Sequence, residues 1–254
     1  MTSKNKIALV TGGSRGLGKN MAMHLAAKGI DVIITYQNRE DAANEVVATI
    51  KQQGRKAAAL QLNVALSNTF DVFTQKLQQL LQSTFNATHI DALVNNAGVG
   101  THAPYAQTTE SQFDQMVNIH LKAPYFLTQK LLPLLNSGSA VVNISSGLSR
   151  FSYPGYSSYA IMKGAIDTLS RYQAVELKEH RIRVNTIAPG AIETDFGGGA
   201  VRDNKQLNDM VASQTALGRV GLPDDIGAVV AFICSDESGW INGQRIEVSG
   251  GIHL

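Results

Sequence analysis

At 254 residues, 44% of them hydrophobic and 17% charged, the chain has enough apolar material for a sizeable core and does not have the composition of a disordered protein. A formal charge of +2 with no basic block or stripe gives no electrostatic case for nucleic acid. The longest apolar run, Ile226 to Cys234, is too short to cross a bilayer, and the polar start MTSKNK does not read as a signal peptide, so no membrane partner is expected.

Strand-like and helix-like stretches alternate along the chain. Ile7–Thr11 reads as a buried strand, Leu17–Lys28 as a helix stopped by Gly29, Asp31–Tyr36 as a strand, and Asp41–Gln53 as a helix with Val46, Val47 and Ile50 on one face. Lys56–Leu62 follows as strand, Asn68–Leu81 as helix, Asp91–Asn95 as strand and Ser111–Leu135 as one long helix. Ala140–Ser145 is predicted as strand, Ser158–Lys178 as helix, Ile182–Ala188 as strand, Asp224–Ser235 as helix and Arg245–Val248 as strand. Gly190 to Asn204, with three consecutive glycines, reads as a lid over a site in preference to a disordered loop. Apolar strands separated by amphipathic helices imply an α/β fold: a Rossmann-type, doubly wound parallel sheet with helices on both faces, in a single domain over residues 1–254. The one cysteine, Cys234, lies in the helical pattern IGAVVAFIC and reads as a small buried hydrophobe in a reducing, cytoplasmic compartment. The six histidines have no ligand spacing, so no metal site is expected.

The first strand and helix enclose TGGSRGLG, Thr11 to Gly18. Gly12-Gly13-Ser14-Arg15-Gly16 fits the serine turn of an α/β-hydrolase, but that turn needs an earlier strand-to-helix loop for its oxyanion hole, and only six residues precede the strand. A phosphate-binding loop needs nothing upstream: glycines let the backbone approach a pyrophosphate, and the free N–H groups of the following helix favour negative charge. The phosphate reading therefore stands. Further along, Tyr159 and Lys163 are four apart on one predicted helix face, just after the strand that ends near Ser146. An ammonium beside a phenol is expected to lower its pKa by about 1–3, towards the range useful for proton transfer.

In this order the motifs resemble the short-chain dehydrogenase/reductases in their compact form. They are the TGxxxGxG loop, NNAG (Asn95 to Gly98), Ser146 before Tyr159-x-x-x-Lys163, Pro189-Gly190, and the tail Gly218 to Gly251. The resemblance covers Ile7 to Gly251 and is nearest to 3-oxoacyl-ACP reductases and to sugar or polyol dehydrogenases. It implies a nicotinamide dinucleotide held by Gly12, Ser14, Arg15, Gly16, Leu17, Gly18, Tyr36, Arg39, Asn63, Val64, Asn95, Ala97, Gly98, Tyr159, Lys163, Pro189, Gly190, Ile192 and Thr194. It also implies hydride transfer to a carbonyl carbon, with Tyr159 protonating the oxygen, Ser146 steadying it and Lys163 tuning the tyrosine.

Two positions depart from the family's pattern. His120 stands where a catalytic asparagine normally lies, with Asn118 two residues earlier; His120 is either a proton relay through water or a core-facing histidine. Asn63 replaces the usual aspartate near the adenine. At the end of the second strand Tyr36 stands where NAD-dependent members carry an acid, while Arg15 and Arg39 lie close by, so NADP(H) is expected over NAD(H). Leu148, Tyr153, Tyr156 and Phe196 are expected to line the pocket of a small-molecule carbonyl or alcohol substrate, and the resemblance implies a homotetramer. Two non-reductase readings remain as alternatives: a catalytically silent cofactor-binding regulator, disfavoured by the presence of Ser146, Tyr159 and Lys163, and an α/β-hydrolase acting through Ser14.

Overall fold

The computed structural model describes residues 5–254; residues 1–4, which carry part of the polar start that argues against a signal peptide, lie outside the described residues. The chain runs β1 (Ile7–Val10), α1 (Gly16–Ala27), β2 (Asp31–Tyr36), α2 (Glu40–Gln52), β3 (Ala57–Gln61), α3 (Phe70–Leu80), β4 (Ile90–Asn95), α4 (Glu110–Val117) and α5 (Ala123–Leu131). It continues with β5 (Leu135–Ile144), α6 (Ser157–Glu176), β6 (Arg183–Pro189), α7 (Ala200–Asp203), α8 (Lys205–Ser213), α9 (Pro223–Ile233) and β7 (Arg245–Val248). The seven strands make one sheet in the order β3-β2-β1-β4-β5-β6-β7, and every pairing is parallel.

Both faces of the sheet are buried, and period-two geometry divides the apolar side chains between them. Ala8 and Val10 of β1 point to a cluster with Met21 and Leu25 of α1, Ile50 of α2 and Val230 of α9. Ile7 and Leu9 point the other way, to Phe70 and Leu77 of α3 and Leu127 of α5. The chain winds outward from β1 to β3, then returns to place β4 on the other side of β1. The loops leaving β1 and β4 therefore diverge at their carboxyl ends, which opens the crevice where such sheets bind ligands. No helix among the described residues is long and apolar enough to cross a membrane.

The expected long helix Ser111–Leu135 is broken. α4 gives way to a wide π turn over Asn118–Lys122 before α5 begins, and a 3-10 turn, Leu132–Leu134, ends the run. Pro124, in the first turn of α5, has no N–H to continue the ladder, so the break falls just before it. The segment Asn68–Leu81 likewise opens with a 3-10 turn and closes in a π turn, Leu81–Phe85. β5 starts five residues earlier than Ala140, at Leu135. The glycine-rich stretch Gly190 to Asn204 is partly helical: Phe196–Gly199 forms a 3-10 turn with Gly197 and Gly198 at φ +62° and +75°, and α7 follows. Only residues without a Cβ adopt such consecutive left-handed conformations readily.

Candidate active site

The carboxyl ends of β1, β4, β5 and β6 open into a cleft of about 760 Å³. At one end its floor is main chain. Gly12 has φ +67°, and a Cβ there would lie 2.9 Å from the Ala97 Cα. A Cβ on Gly18 would meet the Gly12 carbonyl at 2.2 Å and the Asn96 Nδ2 at 2.5 Å. The loop is held by Thr11, whose hydroxyl donates to Val94 O at 3.2 Å and accepts from the N–H groups of Asn96 at 2.9 Å and Ala97 at 3.0 Å. Asn96 donates back to Thr11 O at 2.8 Å, and the Gly12 N–H reaches Thr35 Oγ1 at 3.1 Å. This loop ahead of α1 fits a pyrophosphate: its glycines let the turn pack tightly against Ala97 and Asn96, which leaves bare main chain facing the cleft at the positive end of a helix dipole.

Of the residues expected around a dinucleotide, the lining includes Gly12, Ser14, Arg15, Gly16, Leu17, Gly18, Tyr36, Arg39, Asn63, Val64, Ala97, Gly98, Tyr159, Lys163, Pro189, Gly190, Ile192 and Thr194. Asn95 is the exception and corrects the expectation. Strand alternation turns it under the sheet, where its Nδ2 donates to Thr128 Oγ1 at 3.0 Å and Asn143 Oδ1 at 2.8 Å. Asn63 is tied into its own turn, its Oδ1 accepting from the Ala65 N–H at 3.0 Å. Beyond β2, Arg39 stands at the N-terminal position of α2 and lines the cleft, while Glu40, the first carboxylate after the strand, lies beside Tyr36 and does not line it. Arg15 reaches across the cleft mouth to within 3.7 Å of Asp195.

The middle of the cleft gathers Ser146, Tyr159, Lys163 and His120. Ser146 ends the β5 loop in extended backbone and accepts the Leu148 N–H at 3.2 Å. Tyr159 and Lys163 lie on the buried face of α6, with the ammonium 5.4 Å from the tyrosine ring centre. Lys163 Nζ donates to Ile144 O at 2.7 Å. Its burial, only partly offset by Asp167, pulls its pKa down to about 7. The expected lowering of Tyr159 is overturned: burial pushes the phenol well above its ordinary value, and the Ser146 hydroxyl pulls it back only in part. The reason is that the phenol itself loses its water on burial, and that cost to the phenolate dominates.

His120 sits in the π turn, 2% exposed, with its ring edge-on to Tyr159 at 5.1 Å between centres. Its Nε2–H donates to Val99 O at 2.7 Å. The Val99 N–H also lies 3.4 Å from that nitrogen, but a nitrogen already carrying a hydrogen cannot accept it, so the shorter contact sets the tautomer. Nδ1 is then a bare acceptor, buried and without a partner. Burial and the nearby Lys163 charge lower the His120 pKa to about 3, outweighing the Val99 bond, so the ring is neutral at physiological pH. Cys234, by contrast, is 3% exposed, and burial pushes its thiol up to about 12, as befits a core hydrophobe.

The far end of the cleft is walled by side chains. Leu148, Tyr153, Tyr156 and Phe196 line it as expected, with the Phe196 ring 5.8 Å from that of Tyr159. His102, Leu207, Met210 and Ile252 also line it and were missed from the sequence. α8, which carries Leu207 and Met210, is short and mostly polar, and its packing across the cleft has no local signature.

Fold and cleft together define a dinucleotide-binding oxidoreductase scaffold. A family model described as enoyl-(acyl carrier protein) reductase matches residues 12–253. The chain belongs to the short-chain dehydrogenase/reductase family. A hydroxynaphthalene reductase-like protein of Metarhizium majus is 33% identical over 97% of this chain and 94% of its own. The angucycline C-6 ketoreductase LanV, solved with bound NADP, is 34% identical with a TM-score of 0.92, over 97% of this chain and 95% of its own. The promiscuous reductase LugOII, which catalyses keto-reduction at C1 during lugdunomycin biosynthesis, is 36% identical with a TM-score of 0.91, over 97% and 96% of the two chains.

Proposed function

We propose that this protein is an NADPH-dependent ketone reductase whose substrates are flat, aromatic-ring ketones. The observation that carries the reading is the convergence of Ser146, Tyr159 and Lys163 at the middle of one cleft, between a glycine cradle and an aromatic wall. When bound, the nicotinamide supplies the hydride; the chain's residues supply orientation and the proton. The Ser146 hydroxyl holds the substrate carbonyl oxygen, and Tyr159, kept protonated by its burial, donates the proton that the oxygen needs as it becomes a hydroxyl. Lys163 orients the ribose side of the dinucleotide and holds positive charge beside the phenol as its proton leaves. His120 ties the π turn to Val99 and offers Nδ1 to a water on the proton's route.

Arg15 and Arg39 support a preference for the 2′-phosphate over a bare ribose, since a guanidinium meets a phosphate with paired bonds and the strand ends on Tyr36 where an acid would grip a free 2′-hydroxyl. Two relatives of comparable identity are named for ring compounds, a hydroxynaphthalene and an angucycline. The apolar lining of Leu148, Phe196, Leu207 and Met210 suits a planar ring system better than a sugar. A 3-oxoacyl thioester is the second substrate class; the family model's description supports it only in naming an acyl carrier protein, since the group it names is an enoyl. Exposed Tyr125 and Phe126 on α5, with Ile161, Tyr172 and Val175 on α6, support assembly of copies through these helices as a homotetramer. The lone buried thiol supports a cytoplasmic setting.

The test is NADPH and NADH consumption with naphthol-derived ketones, polycyclic quinones, 3-oxoacyl thioesters and sugars, using Tyr159→Phe as the blank. Turnover of the ring ketones with NADPH, lost in the blank, is the expected result. Equal or better turnover with NADH, or activity on sugars alone, would reject it.

A further inference from the structure

The reductase reading uses Ser146, Tyr159 and Lys163 but not the charges packed behind them, and the role assigned to those charges rests on that reading. Asp167 lies one helical turn beyond Lys163 on the buried face of α6. Its Oδ2 accepts from Ser149 Oγ at 2.7 Å and from Arg245 Nε at 3.0 Å, while its Oδ1 is buried without a partner. Arg245 opens β7, one of the two edge strands, and reaches inward with its whole fork. Nη2 donates to the Ser146 carbonyl at 3.2 Å and to Ser149 Oγ at 3.2 Å, and Nη1 donates to Glu247 at 2.9 Å. Glu247 in turn takes a second guanidinium, that of Arg150, at 2.7 and 2.9 Å. Three separate pieces of chain (the turn after β5, helix α6 and strand β7) thus meet on one carboxylate and one guanidinium.

We propose that Asp167 and Arg245 are a positioning pair for this site: Arg245 pins the Ser146 turn against α6, and the Asp167 carboxylate, bonded to Arg245 and one helical turn from Lys163 on the same buried face, sets how firmly Lys163 keeps its proton. The geometry supplies the reasons. Ser146 and Tyr159 come from different elements, so their spacing depends on something that bridges the β5 turn and α6, and Asp167 with Arg245 does so through Ser149 and the Ser146 carbonyl. A carboxylate oxygen left bare inside the protein is also strongly felt by a neighbouring cation, because little water screens it. The groups that face Lys163 are few: Tyr159 from its own helix and His120 from the π turn, both neutral at physiological pH, and Asp167. Behind Asp167 stand Arg245 and Glu247 from β7 and Arg150 from the turn after β5. Asp167 raises the Lys163 pKa against the burial that lowers it, and Arg245 draws on the same carboxylate from the other side.

That arrangement gives two variants opposite signs, which a loosened structure does not. The lysine Nζ resonances of the dinucleotide-free protein, labelled with nitrogen-15, are titrated by NMR, with Lys163 assigned by the loss of its signal in Lys163→Met. Asp167→Asn should move the Lys163 midpoint down by about 1 in pH, whereas Arg245→Met, which removes the guanidinium that offsets the carboxylate's charge, should move it up. Asp167→Glu should stay near the parent. Midpoints that do not move, or that move the same way in Asp167→Asn and Arg245→Met, overturn the electrostatic half. Arg245→Lys keeps the charge and loses the fork; it should leave the midpoint in place and lower kcat for ketone reduction several-fold with KM for NADPH unchanged. An unchanged kcat overturns the pinning half. Because the titration needs no dinucleotide, its failure leaves the reductase reading intact, while a parent protein that turns over no ketone fails that reading alone.

Discussion

At the dinucleotide end of the cleft the walls are largely main chain: Gly12, Gly16 and Gly18 carry no side chain to adjust, and Thr11 and Asn96 lock the loop with bonds to backbone. At the substrate end the walls are side chains on short helices, Phe196 before α7 and Leu207 and Met210 on α8, joined by glycines with positive φ. Main chain can be packed to a fixed shape, and a methyl group added at Gly12 or Gly18 has nowhere to go. Aromatic rings and methionine on a short helix can repack around ligands of different outline. The contrast teaches that one end of the cleft has a fixed outline and the other an outline that side chains can adjust.

Four substitutions would break or sharpen that contrast, in falling order of effect. Gly18→Ala puts a methyl group 2.2 Å from the Gly12 carbonyl and should weaken NADP+ binding by more than about a hundredfold, roughly 3 kcal/mol, by calorimetry. Binding within tenfold of the parent would show that the loop is not rigid. Arg15→Ala should cost about 2 kcal/mol, some thirtyfold, in kcat/KM for NADPH and leave NADH nearly unchanged. Equal losses for both dinucleotides would remove the 2′-phosphate from its role. His120→Ala strands the Val99 carbonyl and should lower stability by about 1–3 kcal/mol in urea unfolding, with His120→Asn recovering part of it. A parent-like midpoint for the alanine variant would mean that the π turn stands without this bond. Phe196→Ala is the mildest: the ring is half exposed, so KM for a ring ketone should rise by a few-fold, about 1 kcal/mol or less, with KM for NADPH fixed. A change confined to the NADPH KM would place Phe196 on the wrong side of the contrast.

The same contrast governs what the sequence reveals. Gly12 to Gly18, Tyr159 and Lys163 are legible because strand, turn and helix fix their positions locally, and the 3.6-residue period puts the tyrosine and lysine on one face. Asn95 misleads because NNAG marks a turn without saying which amide faces the ligand; strand alternation hands the cleft to Asn96. The π turn at Asn118–Lys122 is invisible to helical periodicity, which stays apolar through it. Leu207, Met210 and Ile252 reach the site only through long-range packing. Arg245 and Asp167 are 78 residues apart, and no spacing rule joins them. The phenol's pKa fails for a related reason: a one-turn spacing states that an ammonium is near but not how much water both groups have lost.

The state of Cys234 has a practical corollary. The chain's one thiol is sealed in the core and holds its proton far above neutral pH, so alkylating reagents have no native target while the protein stays folded. A cysteine introduced at exposed Arg202 of α7 would then be the sole group to take a maleimide dye, and a single fluorophore there would report movement over the aromatic end of the cleft as ligands enter.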